Sequence, residues 1–219
     1  MKKNQFKFNL GVSIFGLAFM LMSSLLLSGC KEDISTEAYA TKTEPTLIDK
    51  IDEKSDELSS IRKLLDEVKL GNKSNSSSMT SVLSARGNYT VFAPNDEAVK
   101  QCVIELTGDE TGNIESLSYE QKQLIVLNCI IDNGDASAYE SVEFPTSNQT
   151  FALSNLNNRR LKCMQDAESH DYFINGDATS GSRVVETDYE CTNGMLHVVS
   201  KVILPSTKSV SELISVADN

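Results

Sequence analysis

The hydrophobic period of this chain changes near Asn133-Gly134, and that change limits the fold more than any other feature. Upstream, apolar residues recur mostly at helical spacing; downstream they alternate in short runs. Leu47, Ile51, Leu58, Ile61, Leu65 and Val68 form one helical stripe, interrupted at Lys54. The stripe fits a coiled-coil dimerisation stalk, or one helix or two short ones packed on their own domain. Three imperfect heptads favour packing. Gly71 to Ser81 reads as a low-complexity loop. Tyr89 to Phe92 reads as a strand, closed by Pro94, which has no N–H for a ladder. Asn95 or Asp96 then caps a helix with Glu97 in its positive first turn. Ala98, Val99, Cys102, Val103 and Leu106 form its buried side. Ser118 and Gln121 make a capping box for a second helix, Tyr119 to Ile131, which Asn133-Gly134 stops.

After Gly134, Phe151/Leu153, Leu161/Cys163, Tyr172/Ile174 and Val184 mark short strands. Asn157-Asn158, Asn175-Gly176-Asp177 and Gly181 separate them, and Asn193-Gly194 is a tight-turn signal. Met195 to Leu204 reads as the longest strand, ended by Pro205. Helices first and strands later give an α+β class.

The N-terminus reads as an export signal and not as part of the fold. Lys2, Lys3 and Lys7 precede an uncharged apolar run from Leu10 to Leu27. Leu27-Ser28-Gly29-Cys30 then matches a lipobox, in which the Cys30 thiol is acylated and the chain is cut before it. An uncleaved anchor would barely reach the ~20 residues a span needs, and it leaves Gly29-Cys30 unexplained. Residues 1–29 are therefore expected to be a signal peptide, and Cys30 the link to a bacterial membrane. Residues 30–44 form a polar tether. Lys31-Glu32-Asp33 resembles the surface-export tags of outer-membrane lipoproteins, which places the chain on the outer surface; a periplasm-facing orientation is the alternative. Removing residues 1–29, with three lysines and no acid, takes the formal charge from −11 to −14. Such a surface repels nucleic acid.

Few residues offer chemistry. Cys102, Cys129, Cys163 and Cys191, at spacings of 27, 34 and 28, match no zinc pattern. An oxidising compartment permits disulfides, and Cys163–Cys191 is the first pairing if their strands are neighbours; the alternative is buried free thiols. His197 lies within a strand and is expected to be buried and hydrogen-bonded; His170 lies in a polar stretch. A Cys191 or Cys163 nucleophile beside His197 is the least favoured reading. Asp132, Asp135 and Asp177 lack the alternating spacing of a calcium loop and read as turn residues. No catalytic set, metal site or cofactor motif is expected, and the chain reads as a non-enzyme. Asn75, Asn88 and Asn148 begin glycosylation sequons, to which a bacterial lipoprotein gives little weight.

Two segments together resemble the fasciclin domain. The first is Thr90-Val91-Phe92-Ala93-Pro94 running into Asn95-Asp96-Glu97-Ala98; the second is Asn193-Gly194-Met195-Leu196-His197-Val198, leading to an apolar strand and Pro205. The resemblance covers residues 45–205 and implies a β-wedge of short strands with packed helices. It also implies adhesion or attachment to an extracellular protein or polysaccharide. A structural or accessory subunit of an envelope complex, in polysaccharide handling for example, is the alternative. Asn128-Cys129 stands where animal members often carry Tyr-His in their integrin-binding region, which counts against that activity. Val99 and Ser200 also depart from the pattern. The tail, residues 206–219, resembles the opening helix of another repeat. Nothing in the sequence fixes the oligomeric state.

Overall fold

A computed structural model of the chain describes residues 44–72 and 75–204. Cys30, the signal segment, Pro205 and the tail at 206–219 lie outside the described residues.

The fold begins with helices α1 (Leu47–Glu53) and α2 (Ser55–Glu67). Thr46 caps α1 through a reciprocal capping box with Asp49, which satisfies donors that helix starts leave unpaired. The break falls at Lys54. Its ammonium reaches Glu186 at 2.8 Å and lies 4.9 Å above the Tyr189 ring, so a residue on the apolar face finds an ionic partner across the domain. Ile51, Leu58, Ile61 and Leu65 are buried within the chain's own core. The stripe therefore packs inward and is not a free stalk.

Residues 69–84 correct the loop expected there. Strands β1 (Lys69–Asn72) and β2 (Asn75–Ser78) pair antiparallel, and helix α3 (Met79–Ser84) follows with Ser78 as its cap. Ladder pairing uses backbone groups, so a serine-rich run can form it without an apolar pattern. Met79 and Leu83 then bury completely.

Strand β3 (Tyr89–Pro94) leads into helix α4 (Asp96–Thr107), with Asn95 as the cap. The five residues assigned to the inner side of α4 are buried. Helix α5 (Tyr119–Asn128) starts at the Ser118/Gln121 capping box, but it stops three residues short of Ile131. Ile130–Asp132 instead forms strand β4, antiparallel to β3. A continuous apolar run does not itself distinguish helix from strand, and here the β-branched pair Ile130-Ile131 takes the strand. Gly134 (φ 58°) accordingly turns the chain out of a strand, not out of a helix.

The remaining strands are β5 (Gln149–Thr150), β6 (Lys162–Gln165), β7 (Tyr172–Ile174), β8 (Ser182–Cys191) and β9 (Gly194–Val199). They join β3 and β4 in a seven-stranded sheet of order β4-β3-β9-β8-β7-β6-β5, in which only β3 and β9 run parallel. The longest strand is β8, not the stretch from Met195 to Leu204. The ladder of β9 ends at Val199, and Lys201 is instead held through the Ser182 hydroxyl.

The β3–β9 pair separates two cores. Val91, Ala93, Leu196 and Val198 face the helices; Phe92 and Val199 face a second cluster with Phe144, Phe151, Leu161, Cys163 and Ile174. Alternation along a strand sends successive side chains to opposite faces, so two buried faces require two apolar sets.

Candidate functional site

The sequence-marked residues converge on the β3–β9 pair. Asn193, in the β8–β9 turn, is 2 % exposed. Its amide oxygen accepts from the Leu47 N–H at 2.9 Å, and its Nδ2 donates to the carbonyls of Leu83 and Ala85. One side chain thus ties the start of α1 and the end of α3 to the sheet. Gly194 begins β9 against Tyr89 of β3. Thr90 donates to Asn133 Oδ1 at 3.0 Å and accepts from the Tyr139 N–H at 2.8 Å. Pro94 ends β3 opposite Val199, and the next N–H, of Asn95, donates to the Val199 carbonyl at 3.1 Å.

His197 is fully buried, its ring stacked on Phe92 with centroids 5.3 Å apart and edge-on to Phe144. Nε2 lies 2.9 Å from the Tyr139 carbonyl, and Nδ1 accepts from the Asp188 N–H at 3.2 Å. These partners assign the neutral tautomer with the proton on Nε2. Asp188 sits at an irregularity of β8 with φ 63°, and its carboxylate accepts from the Ser141 N–H and hydroxyl. Burial pushes the imidazole down to about 4, against the opposing pull of the Tyr139 carbonyl and the Asp188 carboxylate. Both ring nitrogens are committed, so His197 fastens β9, the β8 irregularity and the 139–141 segment together. His170 is exposed on a turn with φ 61°.

The four thiols are free and buried. The proposed Cys163–Cys191 bridge is overturned by topology. Strand β7 lies between β6 and β8, and the two residues belong to different cores. Burial pushes Cys102, Cys129 and Cys163 up to about 12 and Cys191 up to about 11. Neutral, desolvated thiols are poor nucleophiles. Native protein is therefore expected to resist iodoacetamide at all four positions, and to take four adducts after denaturation without reductant. A mass spectrum showing fewer than four adducts after denaturation would point to a disulfide. Among the described residues, no group of three or more His, Cys, Asp or Glu is placed to hold a metal.

A groove of about 470 Å³ lies between α4, the turn from Ile174 to Ser182, and residues 200–204. Glu97, Gln101 and Glu105 stand along one rim at four-residue steps. Cys102, Ile174 and Ile203 supply buried apolar surface. Lys201 lines the groove, but its ammonium donates to the Thr179 carbonyl at 3.2 Å. Sequence reasoning missed the groove because three distant segments build it; the four-residue acidic and amide row on α4 was its one visible trace.

The fasciclin domain family model matches residues 56–205. The chain belongs to the fasciclin family. A search of curated proteins returns no match. Among solved structures, the chain is similar to an insect protein, the FAS1 domain pair of the cell adhesion molecule Fasciclin I. Identity there is 18 %, the TM-score is 0.56, and the match covers 74 % of this chain and 52 % of that one. The chain thus spans about half of that structure, and the likeness is one of fold. Fasciclin domains are generally adhesion and interaction domains. In this fasciclin domain, Asn128 and Cys129 are buried, not displayed. Asn128 Oδ1 accepts from the side chains of Asn155 and Asn157, so the position locks a loop to the end of α5.

Proposed function

We propose that the chain is an outer-membrane lipoprotein, held by lipid at Cys30 and facing outward, whose fasciclin domain attaches the cell to a protein or polysaccharide ligand. What supports the reading is the fasciclin domain at 56–205, preceded by residues 27–30, which read as a lipobox, and residues 31–33, which resemble an export tag. The surface chemistry is consistent with binding. His197 and the four thiols are committed to the interior, while a polar-rimmed groove stays open. Among the described residues no helix is long and apolar enough to cross a membrane.

Two measurements test the reading together. Protease added to intact cells is expected to digest the domain while a periplasmic control survives; protection until lysis overturns the outward orientation. The soluble domain is expected to bind envelope or extracellular material saturably. Absence of binding to any protein or polysaccharide fraction overturns adhesion.

A further inference from the structure

We infer that the groove along α4 takes an extended peptide segment carrying two basic side chains four residues apart. This deepens the adhesion reading and rests on it. Glu97 and Glu105 are exposed on one helix face, eight residues apart. At 1.5 Å per residue their backbones are about 12 Å apart along the axis. An extended chain rises about 3.3 Å per residue, so its residues i and i+4 are about 13 Å apart and share a face. The two spacings match.

Both carboxylates remain open to a cationic partner among the described residues. Neither Glu97 nor Glu105 has a cationic partner in the ion pairs formed among the described residues. Gln101 spans part of the gap, donating to Glu105 at 3.3 Å. Lys201, the one basic side chain of the lining, is turned to the Thr179 carbonyl. The apolar surface of Cys102, Ile174 and Ile203 suits aliphatic side chains between the two basic ones. A volume near 470 Å³ falls within the usual range of ligand sites. A polysaccharide fits less well. No aromatic ring lines the groove to stack on a sugar, and the carboxylates repel acidic glycans.

The test uses the purified full-length chain and two labelled probes, Lys-Leu-Ser-Leu-Lys and Glu-Leu-Ser-Leu-Glu, followed by fluorescence anisotropy. Salt is set at about 0.15 M to screen the overall negative charge. The lysine probe is expected to bind and the glutamate probe to fail. The double variant Glu97→Gln/Glu105→Gln is expected to weaken the lysine probe at least about tenfold. Neutralising Glu120 and Glu168, exposed carboxylates outside the groove, is expected to change it less than about twofold. Equal weakening by both double variants overturns the assignment, because attraction then belongs to the whole surface. So does absence of lysine-probe binding, which leaves the groove to a glycan or to residues 205–219. Envelope binding that survives without probe binding removes this assignment and leaves the adhesion reading; loss of both removes both.

Discussion

Replacing Gly194 with alanine is expected to cost about 4 kcal/mol or more, a large share of the roughly 5–15 kcal/mol that typically holds a domain folded. A Cβ at this position would stand 2.0 Å from the Tyr89 carbonyl oxygen and 2.8 Å from its nitrogen. Both are backbone atoms of the adjacent strand, so no side-chain rotation relieves the contact. The φ of 153° adds strain for any L side chain. Separating the strands would break the parallel ladder where it begins, and both faces of that ladder are packed. Urea denaturation followed by circular dichroism checks the prediction. A Gly194→Ala variant within about 1 kcal/mol of the parent would mean that the two strands do not pair as described.

The second large effect is a pH dependence centred on His197. Its folded pKa, about 4, lies below the ordinary value of 6.5. The unfolded chain therefore binds a proton that the folded chain refuses. The contribution to stability is complete above about pH 6.5 and is lost as pH falls toward 4, reaching about 3 kcal/mol in all. About 2 kcal/mol of that should disappear between pH 7 and 5, before most carboxylates titrate. Unfolding midpoints at pH 7, 6 and 5 measure it. The variant His197→Gln is expected to be less stable at pH 7, because it disturbs the fully buried ring position and its bonds to the Asp188 N–H and the Tyr139 carbonyl, yet to lose most of the slope. An unchanged slope in that variant would assign the effect to another group.

Local signals carried much of the fold. The Asn95 cap, the Ser118/Gln121 box and the inner stripe of α4 could be read directly because their partners lie within one or two helical turns. Asn193-Gly194 marked the last hairpin for the same reason, although its turn residues are Thr192 and Asn193, with Gly194 already in the ladder. What escaped depends on distant partners. The strand at Ile130-Ile131 exists because β3 offers an edge, and the serine-rich hairpin because each half meets the other. Cys163 and Cys191 looked equivalent in sequence, but an intervening strand and a shared wall keep them apart. The candidate site was the least legible part. A helix row, a turn and an irregular segment must assemble before the groove exists.

The parallel pairing of Tyr89–Pro94 with Gly194–Val199 has a kinetic consequence. Its two halves lie about a hundred residues apart, and Asn193 reaches back further still, to Leu47. A growing chain, made from its N-terminus, can form α1 to α5 early, but each lacks its wall until the final strand arrives. High contact order of this kind slows folding, because a long loop must close before any central contact rewards it. The central ladder can therefore close only after residue 199 has been added, which makes it the last part of the domain to form.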